Sequence, residues 1–135
     1  AKIKEIIDAI NAFATSITTS LITATSVLTD KVTVTKGNVT QITAITTGVT
    51  VNAAAGVITT VSSTLAAGSN ATFIVTNSKV SATSVIQLTP DDSATAGLAK
   101  LNVQTVGSGV FSINITNVHA TNAFNNVVKI HFLVV

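Results

Sequence analysis

The sequence predicts a mainly β protein: a jelly-roll-like β-sandwich of about eight antiparallel strands preceded by an N-terminal α-helix. Three observations carry that prediction. Apolar residues recur at steps of three and four as far as Leu28, the period changes to two from Lys31, and turn residues cut the second part into short runs. The expected division is therefore 1–30, an amphipathic helix for oligomerisation or docking, and 31–135, the sandwich domain. A chain of 135 residues is long enough to bury a core without disulfides or metals.

In the first segment Ile3, Ile7, Ile10, Ala14, Ile17, Leu21, Ala24 and Leu28 form a heptad-like seam, which Ile6 and Phe13 widen. With the four-residue step taken from d to a, Ile3, Ile10 and Ile17 occupy d positions. β-Branched residues there disfavour a parallel dimer and shift the preference towards three or four strands. Ile3, Ile7, Ile10, Ile17 and Leu21 are accordingly the expected oligomerisation or docking residues. Up to Ala14 the helix follows directly from the pattern. Beyond it, Thr15, Ser16, Thr18, Thr19, Ser20, Thr23, Thr25 and Ser26 compete for the backbone with their own side chains. The helix then continues only if its seam packs, either back onto its own domain or, as favoured here, against other copies or a partner.

From Lys31 the alternation is that of strands. The run 31–36 alternates, as do 110–116, with Phe111, Ile113 and Ile115 opposite Ser112, Asn114 and Thr116. In the last segment Val128, Ile130, Phe132 and Val134 share one face, with Lys129, His131, Leu133 and Val135 on the other. Shorter runs are expected as strands at 39–45, 49–51, 57–61, 71–76, 84–89 and 101–106. Turn signals stand at 36–38, 47–48, 55–56, 68–70, 90–92 and 107–109. One sheet face would be rich in Thr and Asn and nearly free of the charges that normally discourage strand pairing. Such a face is covered by a neighbouring subunit or tolerated in a very stable shell. Together with the helix it points to a homotrimer or a similar assembly.

Composition narrows the function. Charged residues make up 9% of the chain, against about 25% in ordinary domains. In their place stand 24 Thr, 12 Ser and 11 Asn, and Cys, Met, Trp, Tyr and Arg are absent. The net charge of +2 is seven scattered Lys less five acids, with no Arg, which argues against nucleic acid as a partner. Mean hydropathy is +0.63, yet Glu5, Asp8 and Asn11 interrupt the most apolar stretch, so no membrane span or export signal is expected and synthesis is expected in the cytoplasm.

Candidates for chemistry are few. His119 and His131 are the only imidazoles, and no Gly-x-Ser-x-Gly elbow precedes a helix. A small hydrolase would have to use His119, Asp91 and Asp92. The Pro90-Asp-Asp run is expected to be a turn, with a calcium site as the weaker alternative. His119 is expected to order its polar loop as a hydrogen-bond donor. His131 is expected to face outward or a subunit neighbour, and three such residues around a threefold axis could hold an ion. The expectation is a non-enzyme with no catalytic, cofactor or metal site. Three Asn-x-Thr acceptor patterns, at Asn38, Asn70 and Asn114, are incidental in a chain of this composition.

The β part also resembles a known family. Val39-Thr-Gln-Ile-Thr-Ala-Ile-Thr-Thr-Gly-Val-Thr-Val-Asn52, Gly56-Val-Ile-Thr-Thr60 and Phe73-Ile-Val-Thr-Asn-Ser78 are similar to a β domain that recurs in virion proteins of tailed bacteriophages. So are Ile115-Thr-Asn-Val-His-Ala-Thr-Asn-Ala-Phe124 and Val128-Lys-Ile-His-Phe132. The resemblance covers roughly residues 37–135 and leaves the helix outside. Such domains occur in capsid decoration (cement) proteins and in head or tail fibres, often as trimeric jelly rolls. It implies a virion protein on the outer capsid surface with the major capsid protein as partner. The alternative it implies is a short head or tail fibre whose β tip binds host glycans.

Overall fold

The computed structural model describes residues 1–15, 31–92 and 97–135, with side chains described except at 11–15 and Asp92. The chain divides into two compact units, Ala1–Val32 and Thr33–Val135.

The first unit contains α1 (Lys2–Thr15). Its 14 residues correspond to about 21 Å of helix. Glu5 lies in the first turn, where its charge complements the helix dipole. Lys2 pairs with Glu5 at 3.8 Å and Lys4 with Asp8 at 2.6 Å. Both pairs are exposed and add little stability. The remainder of the seam, Ile17 and Leu21 included, lies outside the described residues.

The second unit is a sandwich with ten strands among its described residues: β1 (Lys36–Thr40), β2 (Val49–Thr50), β3 (Ala55–Thr59), β4 (Ser63–Leu65), β5 (Asn70–Thr76), β6 (Ile86–Asp92), β7 (Ala99–Gly107), β8 (Val110–Asn117), β9 (Phe124–Asn126) and β10 (Val128–Val134). Sheet 1 has the order β1-β3-β10-β6 and sheet 2 the order β2-β5-β8-β7, while β4 and β9 form a small pair. The core lies between the sheets. Ile58, Val128, Ile130 and Phe132 of sheet 1 meet Phe73, Val75, Phe111, Ile113 and Ile115 of sheet 2. The rings of Phe111 and Phe132 lie 6.3 Å apart across the interface, a tilted aromatic contact. The alternation in 110–116 and 128–134 thus resolves as expected, with its larger apolar members inside.

The pairing departs from the expected jelly roll of about eight antiparallel strands. Among the described residues there are ten strands, and both sheets are mixed, with β1 parallel to β3 and β2 parallel to β5. Parallel neighbours require a crossover of a dozen residues or so. Residues 41–54 provide one by crossing to sheet 2 for β2 before returning as β3. Two glycines make the β1–β3 approach possible. Gly37 and Gly56 are register partners, and a Cβ on Gly56 would lie 2.0 Å from the Gly37 carbonyl oxygen and 2.8 Å from the Phe132 ring. The turn signals at 36–38 and 55–56 are therefore strand glycines that mark a close backbone approach. Pro90, Asp91 and Asp92 likewise belong to β6 rather than to a turn. β6 is an edge strand, the sheet position in which a residue without an N–H is tolerated. The alternating run 31–35 forms no strand, and the three-residue strands β4 and β9 arise without an alternating pattern.

Three buried amides fasten the loops. Gln41 donates to the carbonyls of Ile45 and Thr47 and accepts from Val61 N–H. Asn77 donates to Ala53 O at 2.8 Å and accepts from Lys79 N–H at 3.0 Å. Asn117 uses its full capacity: it donates to Leu65 O and Asn122 O and accepts from Leu98 N–H and His119 N–H. Among the described residues no buried side-chain polar atom lacks a partner.

Candidate recognition surfaces

Three surfaces could do chemistry or bind. On α1 the three-and-four spacing brings Ile3, Ile6, Ile7 and Ile10 to one stripe. Each is at least half exposed, Ile3 as much as 75%. A contiguous stripe of large apolar side chains in water is a feature of association sites.

The outer face of sheet 2 is polar and almost uncharged. Strand alternation and register place Asn70, Thr72 and Ile74 of β5 beside Thr116, Asn114 and Ser112 of β8, with Lys100, Asn102 and Thr105 of β7 beyond. These side chains bond one another. Asn114 Nδ2 donates to Thr72 Oγ1 at 2.8 Å and to Asn70 Oδ1 at 3.3 Å, and Thr116 Oγ1 donates to Asn114 Oδ1 at 2.9 Å. The hydroxyls of Thr105 and Ser112 lie 2.7 Å apart, and Thr72 bonds Gln104 at 3.2 Å. The face expected to be rich in Thr and Asn exists, and it satisfies much of its own hydrogen-bonding capacity.

The outer face of sheet 1 is different. Register sets Asn38 of β1 beside Val57 of β3, His131 of β10 and Thr89 of β6, and below them Thr40, Thr59, Lys129 and Asp91. All of these but Thr89, together with Val39, line an open trough of about 410 Å³. His131 is outward-facing, as expected, with half of its side chain exposed. Its Nε2 lies 3.9 Å from Asp91 Oδ2. That exceeds the roughly 2.6–3.2 Å reach of a base and its orienting group, so the two side chains are neighbours and not a preassembled dyad.

The other candidates for chemistry do not gather here. His119 stands in the loop after β8. Its backbone N–H donates to Asn117, and its Nδ1 accepts from Thr121 N–H at 3.2 Å and Asn122 N–H at 2.9 Å. It orders the loop, but its side chain does so as acceptor rather than as the expected donor. The side chain of Asp92 lies outside the described residues, and among those described no three His, Asp or Glu side chains form a metal-binding group. The trough itself was not visible in the sequence, because its walls come from four strands separated by up to ninety residues of chain and joined only by register. Comparison with protein-family models, with curated proteins and with solved structures finds no match to this chain.

Proposed function

We propose that this chain is a virion structural protein: a trimeric capsid decoration (cement) protein that binds the major capsid protein and stabilises the head shell of a tailed phage. The observation that carries the proposal is the isoleucine stripe of α1, exposed at Ile3, Ile6, Ile7 and Ile10, in a chain whose sandwich unit has its own core. The d-position isoleucines disfavour a parallel dimer and support three or four strands. The resemblance of residues 37–135 to phage virion β domains supports the location. Here the mixed sandwich takes the place of a jelly roll. The role is architectural rather than catalytic, and neither nucleic acid nor membrane is a partner in it. The chain is made in the host cytoplasm and attaches to the outer capsid surface. Attachment to the closed lattice, and not to an opened one, adds the free energy of binding to shell stability by mass action.

Light scattering on the purified chain tests the assembly. The expected mass is three times 13.7 kDa, and an Ile3→Asp/Ile7→Asp/Ile10→Asp variant is expected to be a monomer with an unchanged β spectrum. A wild-type monomer at micromolar concentration overturns the trimer. Incubation with undecorated shells tests the partner. Binding that the triple variant loses supports the cement role, and a trimer that ignores shells but adheres to host cells replaces it with the fibre.

A further inference from the structure

We infer that the trough on the outer face of sheet 1 is a saccharide-binding site for a neutral, hexose-type carbohydrate. The argument begins with what its polar groups lack. Among the described residues Asn38, Thr40, Thr59 and Lys129 make no side-chain hydrogen bond or ion pair, and Asp91 has only the 3.9 Å approach of His131. The face therefore offers unspent donors and acceptors of both kinds, converging on one concavity.

The class of ligand follows by elimination and then by fit. At about 410 Å³ the trough has the volume of a small-molecule site, but it is open, and six of its eight lining residues carry polar or charged groups, where pockets for apolar ligands or cofactors are enclosed and greasy. A phosphate would need several cations, and the trough has Lys129 alone against the Asp91 carboxylate. A metal ion would need more than the Asp91 and His131 side chains. A sugar needs what is present. The Asp91 carboxylate can accept from two vicinal hydroxyls, while Lys129 and the Asn38 amide donate to sugar oxygens. The hydroxyls of Thr40 and Thr59 do either, and Val57, between Asn38 and His131 in the adjoining row, offers an apolar patch to the C–H face of the ring. The near balance of one carboxylate and one ammonium favours a neutral sugar over an acidic one.

With no Tyr or Trp to stack on the ring, the site is weak, with a dissociation constant of about 1 mM for a single unit. Three copies on one assembly would raise the avidity for a multivalent surface glycan without any new contact. The inference does not rest on the cement role, because a shell protein and a fibre could both carry the site.

The test is amide chemical-shift mapping of the full chain with glucose, galactose, mannose and N-acetylglucosamine, each to about 50 mM, well above the expected dissociation constant. The expected result is saturable shifts for at least one sugar, centred on residues 38–40, 57–59, 89–91 and 129–131. Asp91→Asn and Asn38→Ala are each expected to weaken binding at least about tenfold, which is a 1.4 kcal/mol loss. Asn114→Ala, on the opposite face, is expected to leave it unchanged. No saturable shift with any of the four sugars, shifts centred elsewhere, or equal loss on Asn114→Ala would each overturn the inference.

Discussion

The two outer faces of the sandwich are built from the same kinds of side chain, Thr, Asn and Gln on alternating strand positions, yet they use them in opposite ways. On sheet 2 Asn114 reaches Asn70, Thr72 and Thr116, and Thr105 bonds Ser112, so the polar groups are spent on one another. On sheet 1 Asn38, Thr40 and Thr59 stand in adjacent register positions without bonding across strands, beside Lys129 and Asp91. Composition alone does not distinguish them. A self-bonded ladder contributes to folding and gains little by exchanging its bonds for a ligand's. An unbonded face contributes little to folding and keeps its capacity for recognition.

Substitutions can break or sharpen that contrast. The largest effect is expected at Gly56→Ala. The added methyl would meet the Gly37 carbonyl and the Phe132 ring, so β1 or β3 must move, at a cost of about 3 kcal/mol. Urea unfolding should show it as a lowered midpoint, and the amide resonances of β1 and β3 should shift, because both strands line the trough. Unchanged stability would mean that the close approach of the two strands is not what shapes this face. Next is Asn114→Ala on sheet 2, which removes three side-chain bonds and should cost about 1–2 kcal/mol with no change in the denaturant slope. A neutral result would place the ladder with the idle polar surface and erase the difference between the faces. The smallest effect is expected at Thr59→Ala on sheet 1. Its hydroxyl has no partner to lose, so stability should stay within about 0.5 kcal/mol while sugar-induced shifts weaken. A loss comparable to that of Asn114→Ala would show that sheet 1 also depends on its surface polar groups.

The parts of this molecule legible in its sequence are those in which a residue's role depends on its near neighbours. The 3.6-residue period identifies α1, and the alternation of Phe111, Ile113 and Ile115, or of Val128, Ile130 and Phe132, assigns inner faces correctly. Illegible are the features that depend on a partner far along the chain. Gly37 and Gly56 look like two turns, because nothing local indicates that they face each other. Pro90 looks like a strand terminator, because nothing local says that its strand lies at an edge. Ser63–Leu65 and Phe124–Asn126 are too short to show a period and exist by pairing with each other. For the sites, the isoleucine stripe is written in one heptad-like run and the outward aspect of His131 in one strand, whereas the trough needs the register of four strands. The role of Asn117 escaped notice for the same reason, since its carbonyl partners lie as far off as Leu65.

The position of β10 has a consequence for biosynthesis. It is the last strand of the sandwich to leave the ribosome, yet it lies in the interior of sheet 1, between β3 and β6, and supplies Val128, Ile130 and Phe132 to the core. Until it emerges, β3 and β6 each present an unpaired flank and an uncovered apolar side, while sheet 2 already has all its members. At about 5–20 residues per second a nascent chain would spend about 1–3 seconds in that half-built state. Its exposed strands are the kind that pair with whatever strand is nearest. Neighbouring nascent chains on one message, each holding an open slot of the same shape, are thus the principal hazard, and β10 of one chain is a ready donor to another.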